Sequence, residues 1–89
     1  MENITEEIRA LIMFKLLDVD IPEWGIYVTT DRNGTMDIWS ERPKAYTDHW
    51  GSDVTHTVSD VKHVRKPDGT PATLKLPEHI DWKDVIIKL

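Results

Sequence analysis

Near the start of the chain, apolar side chains recur at three- and four-residue steps, which places them on one face of an α-helix. The residues of this face are Ile4, Ile8, Leu11, Ile12 and Leu16. Asn3 and Thr5 are alternative N-caps, and the two glutamates that follow Thr5 lie where the helix dipole favours negative charge. Pro22 prevents continuation far beyond "LLDVD". The pattern predicts a helix over about residues 4–17.

The stretch "TTDRNGTMDIW" predicts a β-hairpin, whose register depends on the turn type. A two-residue turn at Asn33-Gly34 pairs Val28 with Trp39 and mixes apolar and charged residues on both faces. A type I turn over "DRNG", with Gly34 left-handed in a G1 bulge, instead pairs Val28 with Ile38. The residues that then share one face are Ile26, Val28, Met36 and Ile38. Because a half-buried sheet requires one coherent apolar face, we predict the bulged register.

The same register makes Tyr27 and Trp39 cross-strand neighbours on the opposite face of the hairpin. Aromatic cross-strand pairs stabilise a sheet, and exposed aromatic residues are also common in binding surfaces. Two interpretations remain open from the sequence. Either the pair is an aromatic platform for a partner or a ligand, or a later segment or a second copy of the chain covers it.

A calcium loop is the competing interpretation of the hairpin turn, because Asp31, Asn33 and Asp37 carry oxygen ligands. An EF-hand loop needs glycine at its sixth position and a bidentate glutamate at its twelfth. Counting from Asp31, Gly34 is fourth and the twelfth residue is Arg42. The spacing therefore favours a turn without a metal.

The segment "KAYTDHWGSD" lacks a regular period and is rich in turn-forming residues. It carries Tyr46, His49 and Trp50, so we predict an ordered loop whose aromatic residues either anchor it to the body or line a binding site. These three residues join Tyr27 and Trp39 as the candidate binding residues.

Two further β elements are predicted in the second half of the chain. Valines alternating with threonines predict a strand over residues 54–58, although Val54, Val58 and Val61 also fit a helical spacing. "VKHVRK" and "ATLKL" flank a Pro-Asp-Gly turn signal, which predicts a second hairpin over residues 61–76.

The end of the chain has helical spacing. Trp82, Val85, Ile86 and Leu89 recur at i, i+3, i+4 and i+7, and Asp81 is a candidate cap. We therefore predict a short C-terminal helix with Trp82 in the core. The predicted order is α-β-β-loop-β-β-β-α, an α+β fold with an N-terminal helix, an antiparallel sheet of about four to five strands built from hairpins, and a short C-terminal helix.

Composition limits the domain organisation and the location. A chain of 89 residues with 39% hydrophobic residues has room for one core, so residues 1–89 form a single predicted domain. The absence of cysteine excludes disulfides and thiolate chemistry, and it suits a reducing cytoplasm. The N-terminal stretch is acidic where a signal peptide is basic, and Lys15 interrupts its apolar run. We expect an intracellular protein with no membrane association.

The formal net charge of −5 is unevenly distributed: residues 1–60 carry −7 and residues 61–89 carry +2. Nucleic-acid binders usually present a basic stripe on a basic domain, so nucleic acid is not expected as a partner. One short basic cluster remains a candidate for contact with an anion. Its residues are Lys62, His63, Arg65 and Lys66.

The sequence contains no recognisable catalytic motif. It has no nucleophile elbow, phosphate-binding glycine loop, H-E-x-x-H motif or cysteine nucleophile. The histidines at positions 49, 56, 63 and 79 match no zinc-ligand spacing. Asp81 and Asp84 lie at the start of the predicted C-terminal helix, where acidic side chains complement the helix dipole. We therefore predict no enzymatic activity, no metal site and no cofactor.

The run "IPEWGIYVTTDRNGTMDIWSERPKAYTDHWGSD", together with the later "IDWKDVIIKL", resembles small proteins encoded by tailed bacteriophages. The shared pattern is a D-x-x-G hairpin, a W-x-x-x-P segment, an isolated Trp and a terminal D-W-K-D. The matching positions are Asp31, Gly34, Trp39, Pro43, Trp50, Asp81, Trp82, Lys83 and Asp84. The resemblance supplies no catalytic residue and implies a viral accessory protein in the cytoplasm of a host bacterium.

Two functions follow as expectations. The first is a non-enzymatic phage accessory protein that binds and modulates a host protein, a function that suits its small size and acidic character. The alternative is a protein that binds or sequesters a nucleotide-like signal, with stacking from Tyr27, Trp39 or Trp50 and phosphate contacts from the basic cluster. A homodimer is compatible with either function.

Overall fold

A computed structural model of the chain describes residues 6–51 and 60–89. In chain order the elements are α1 (Glu6–Lys15), β1 (Tyr27–Thr30), β2 (Met36–Trp39), β3 (Lys44–Ala45), β4 (Trp50–Gly51), β5 (Val61–His63), a 3-10 turn (Trp82–Asp84) and β6 (Ile86–Lys88). The predicted α+β class with an N-terminal helix is confirmed. The main sheet is antiparallel with strand order β5-β2-β1-β6, and β3 pairs with β4 in a separate two-stranded sheet.

The predicted inner face of the N-terminal helix is correct at three of its four described residues. Ile8, Ile12 and Leu16 are buried, whereas Leu11 lies at the exposed margin of the face. The helix ends at Lys15, and the amide of Leu16 still donates to the carbonyl of Ile12 at 3.1 Å. Ile4 and both candidate caps lie outside the described residues.

The bulged hairpin register is confirmed: Tyr27 pairs with Trp39 and Val28 pairs with Ile38. Gly34 has φ +92°, and its amide donates to the carbonyl of Asp31 at 2.9 Å. The turn therefore has the left-handed glycine that the G1 bulge requires. Ile26 is an exception to the predicted inner face, because it lies exposed just before β1 begins.

One face of the main sheet packs against α1 through an apolar core. The buried residues of this inner cluster are Ile8, Ile12, Leu16, Val28, Met36, Ile38, Val64, Ala72, Leu74, Val85 and Ile87. The cluster combines one face of α1 with the inward positions of β1, β2 and β6, as period-3.6 and period-2 patterns dictate. The sheet is therefore covered on this side by the helix.

The second predicted hairpin is correct at its turn but not along its returning arm. The amide of Lys66 donates to the carbonyl of Thr70 at 2.8 Å, and Gly69 has φ +89°. Beyond the turn, regular pairing gives way to isolated bridges, and the amide of Leu74 donates to the carbonyl of Gly34 at 2.8 Å. The arm thus crosses to the first hairpin turn. The predicted strand over 54–58 lies outside the described residues.

The predicted C-terminal helix is wrong. One 3-10 turn at Trp82–Asp84 leads directly into β6. Asp81 caps this turn as predicted, because its carboxylate accepts from the Lys83 amide at 3.1 Å. Ile87 of β6 pairs with Val28 of β1. The β-branched pair Ile86-Ile87 suits a strand, and the unpaired edge of β1 offers backbone partners that a short terminal helix would leave unused.

Candidate functional site

The predicted aromatic platform of Tyr27 and Trp39 is covered, because it is part of a second apolar core on the outer face of the sheet. Trp39 and Trp50 are only 5% and 7% exposed, and they pack with Ile86, Tyr27 and Trp82. The indole N–H of Trp39 donates to the hydroxyl of Thr29 at 2.8 Å. Trp39 and Trp50 therefore form a core, and Tyr27 is half-buried at its edge.

The cover is the arm that carries β3 and β4. The indole of Trp50 donates to the carbonyl of Thr30 at 3.0 Å, and its backbone amide donates to the carboxylate of Asp31 at 3.0 Å. Trp82 completes the cover with an edge-to-face contact to Trp50 at 6.3 Å between ring centroids. Of the two interpretations open from the sequence, coverage by a later segment is the one that the structure shows.

Tyr46 and His49 lie exposed at the tip of this arm. Their rings stack with centroids 5.4 Å apart, and Nδ1 of His49 is 2.7 Å from the carboxylate of Asp48. The hydrogen bond from His49 lowers the pKa of Asp48. Of the five predicted binding residues, these two remain on the surface, separate from the buried tryptophans.

The predicted anion cluster does not converge on one site. Lys62 and His63 are successive residues of β5 and point to opposite faces of the sheet. The ammonium of Lys62 donates to the carbonyl of Asp20 at 2.7 Å, and the guanidinium of Arg65 donates to the carbonyl of Gly69 at 3.0 Å. Arg65 and Lys66 line one pocket with Lys15 and Asp18, whereas Lys62 and His63 do not line it, so the four predicted residues do not share one site.

His63 forms a pair with Asp37 that the sequence did not indicate. Its Nδ1 hydrogen-bonds the carboxylate of Asp37, whose side chain is 7% exposed while the imidazole lies largely in solvent. Burial raises the pKa of Asp37, the hydrogen bond from His63 lowers it in part, and the charge of Asp31 raises it further. Within residues 6–51 and 60–89, no three His, Cys, Asp or Glu side chains are placed to hold a metal ion.

The most exposed large apolar side chains that the structure describes lie at the end of α1 and in the turn that follows it. Phe14 is 69% exposed and Leu17 is 73% exposed, and Met13 is partly exposed beside them. With Ala10 they form a second apolar stripe at i, i+3, i+4 and i+7, opposite the buried face. We call Ala10, Met13, Phe14 and Leu17 the outer stripe. Its spacing is present in the sequence as a second apolar face beside the inner one.

Acidic residues lie at both ends of the outer stripe. Glu6 and Glu7 form the first turn of α1, and Asp18 and Asp20 follow its last turn. The guanidinium of Arg9 donates to the carbonyl of Lys88 at 3.3 Å, so it is directed toward the sheet. Asp18 lines a pocket with Lys15, Arg65 and Lys66, so the stripe is an apolar ridge with an acidic first end and a second end of mixed charge.

An open groove of about 380 Å³ lies between the first hairpin turn and the segment from Thr73 to Trp82. Arg32, Lys75 and Glu78 contribute charged groups, and Leu74, Ile80 and Trp82 contribute apolar surface. Its volume is within the range of small-molecule sites. None of the residues predicted to bind a ligand lines this groove.

Comparison with known protein families, curated proteins and solved structures gives no match for this chain. None of the helices in the described part of the chain is sufficiently long and apolar to cross a membrane.

Proposed function

We propose that this chain is a non-enzymatic accessory protein that binds another protein through the outer stripe of α1. The observation that carries the proposal is the exposure of Phe14 and Leu17, at the end of a helix whose opposite face is buried at Ile8 and Ile12. Contiguous exposed apolar residues on a small domain are typical of interaction sites, and such residues form the centre of interfaces.

The biological setting of the proposal is a bacteriophage protein acting on a host protein in the bacterial cytoplasm. The support for this setting is the resemblance of the hairpin, the Trp50 region and the terminal D-W-K-D to small phage proteins. The sequence-based surface at Tyr27 and Trp39 is replaced by the outer stripe, because Trp39 is in the second core.

Binding of a nucleotide-like molecule is the second candidate function, and the groove beside Trp82 is the observation that favours it. Arg32 and Lys75 bring two cations to the groove, and Trp82 brings an aromatic surface. Asp31 and Glu78 also line it, so the four charges cancel formally. The outer stripe therefore supports protein binding better than the groove supports binding of an anion.

The proposal is tested with the double substitution Phe14→Ser, Leu17→Ser. Because both side chains are largely in solvent, we expect the free energy of unfolding to change by about 0.5 kcal/mol or less. Loss of two anchors at an interface costs about 2 kcal/mol or more of binding. A bacterial protein that co-purifies with the wild-type chain should therefore be lost from the variant.

A matched control replaces Ile26 and Val61 by serine, because both are exposed apolar residues outside the outer stripe. This control should retain the partner. A folded Phe14→Ser, Leu17→Ser variant that captures the same protein in the same amount would refute the proposed surface.

A further inference from the structure

A pocket of about 240 Å³ lies between the end of α1 and the second hairpin turn. Three cations line it: Lys15 of the last helical turn, and Arg65 and Lys66 before the Pro-Asp-Gly turn. Asp18 is the one carboxylate among its described lining residues, so the lining has a formal charge of +2 on a chain of net charge −5. Two of the cations belong to the predicted anion cluster, and only the fold brings Lys15 to them.

The cations of this pocket are not neutralised by ion pairs. In the described part of the chain, none of the three side chains forms an ion pair with a carboxylate. The pKa of Asp68 is lowered mainly by its hydrogen bonds from Thr70, and to a smaller extent by the charge of Lys66. Because the Asp68 carboxylate already accepts two hydrogen bonds from Thr70, it does not take up the Lys66 ammonium.

The backbone of the hairpin turn is fixed beside two of these cations. The amide of Lys66 donates to the carbonyl of Thr70 at 2.8 Å, and the amide of Gly69 donates to the carbonyl of Lys66 at 2.9 Å. The guanidinium of Arg65 donates to the carbonyl of Gly69 at 3.0 Å, which uses one of its five donors. A preorganised set of donors loses less conformational freedom when a ligand binds.

The size and charge of the pocket indicate a small dianion. Its volume is below about 300 Å³, the lower end for sites of drug-sized ligands. A phosphate ester carries about two negative charges at neutral pH and has three acceptor oxygens, which match the charge of the lining and its cationic donors. Val19, Pro67 and Ala72 add an apolar wall that suits a short carbon chain. A nucleic acid or an anionic membrane extends far beyond the pocket, and the net charge of −5 repels it.

We infer that this pocket binds the phosphate group of a small molecule, either free phosphate or a short phosphate monoester. Lys15 from the helix and Lys66 from the hairpin pair with the phosphate oxygens, and Arg65 adds guanidinium donors. In an ester, the carbon chain packs against the apolar wall. The inference goes beyond the proposed function, because no residue of the outer stripe lines the pocket.

The test measures binding of inorganic phosphate, glycerol phosphate and acetate to the full chain, by calorimetry and by amide shifts. The ionic strength is held constant with NaCl at about pH 8, where both phosphates are dianions and acetate is a monoanion. We expect the tighter of the two phosphates to bind about tenfold more tightly than acetate, with the largest shifts around Asp18 and Lys66. A preference for glycerol phosphate would identify an ester as the ligand, and a preference for inorganic phosphate or equal affinity would identify free phosphate; each supports the inference.

Two matched pairs of substitutions separate the pocket from the overall charge. Lys15→Gln with Lys66→Gln should weaken phosphate binding about tenfold or more, because two charge-assisted contacts are lost. These lysines are chosen because Arg65 also lines a neighbouring pocket. Lys44→Gln with Lys83→Gln changes the net charge equally at exposed positions that do not line the pocket, and should retain binding. Equal losses in the two pairs would overturn the inference.

The remaining outcomes distinguish this inference from the proposed function. The variant Phe14→Ser, Leu17→Ser should bind phosphate as the wild-type chain does, whether or not it retains a protein partner. Affinity for phosphate no greater than for acetate, or amide shifts that lie away from the pocket, would overturn the inference and leave the outer stripe unaffected. A single-stranded oligonucleotide that binds more tightly than either phosphate, and is lost in Lys15→Gln, Lys66→Gln, would make a nucleic acid the occupant and would also overturn it.

Discussion

At the scale of single residues, two glycine turns share one chemistry. In the first, the side-chain oxygen of Asn33 accepts from the amide and the hydroxyl of Thr35, at 3.2 and 2.8 Å. In the second, the carboxylate of Asp68 accepts from the amide and the hydroxyl of Thr70, at 2.9 and 2.6 Å. Each of these residues precedes a left-handed glycine. The sequences "NGT" and "DGT" therefore specify the same local structure.

Alanine at Gly34 and alanine at Gly69 should have different effects on stability. Both glycines have positive φ, so each substitution introduces left-handed strain of about 1–2 kcal/mol. At Gly34 the new Cβ would also lie 2.8 Å from the carbonyl oxygen of Leu74, whereas at Gly69 it meets nothing within 4 Å. Urea denaturation should show that Gly34→Ala is the more destabilising by about 1 kcal/mol or more. Equal losses would contradict the close approach of Leu74.

The buried carboxylate of Asp37 should make stability depend on pH. Because burial raises its pKa in the folded state, protonated Asp37 favours folding below the unfolded pKa, and this contribution is lost as the pH rises through the folded value. Asp37→Asn removes the titration. The melting temperature of the variant relative to wild type should therefore rise between acid and neutral pH.

Asp68 provides a control, because its pKa is shifted in the opposite direction to that of Asp37. Its pKa is lowered by hydrogen bonds from Thr70, so its contribution is present above the unfolded pKa and is lost as the pH falls. Asp68→Asn should not reproduce the rise from acid to neutral pH. A difference between Asp37→Asn and wild type that stays constant with pH would refute the role assigned to Asp37.

At the scale of elements, the arm of β3 and β4 is fixed to the sheet mainly through Trp50. This residue is buried, and it makes two hydrogen bonds to the end of β1 and the turn that follows it. The arm therefore behaves as a cover for the outer face, although β3 and β4 have only two residues each.

Trp50→Ala should destabilise the protein by about 3–5 kcal/mol, the usual cost of truncating a buried aromatic residue. Tyr46→Ala, at the exposed tip of the same arm, should cost less than about 1 kcal/mol. Thermal unfolding followed by circular dichroism compares the two variants. Similar small losses in both would show that the arm does not form a core with Trp39.

At the scale of the whole molecule, one four-stranded sheet is covered by α1 on one side and by the arm on the other. The radius of gyration is 12.4 Å, close to the value of about 12 Å expected for a compact domain of this length. Because both faces of the sheet are used for cores, Trp39 is not available to a partner. The apolar surface that remains most exposed among the described residues is on the outer side of the helix.

The sequence by itself determined the inner face of α1, apart from the exposed Leu11, and the register of the first hairpin. Both depend on local rules: the helical period selects Ile8, Ile12 and Leu16, and the chemistry around Gly34 sets the pairing of Val28 with Ile38. The secondary structure of the last eight residues was determined by tertiary contacts alone. Trp82, Val85, Ile86 and Leu89 fit a helix, but the open edge of β1 gives Ile86 and Ile87 a strand partner.

The candidate site was also decided by tertiary contacts. Alternation placed Trp39 on the outer face of the hairpin, and only the folding of the arm determined that Trp50 covers it. In the same way, the spacing of Phe14 and Leu17 describes a helix face equally well whether or not another layer packs on it. Local periods determine which side chains share a face. Whether that face is buried depends on a segment far away in the chain that packs against it.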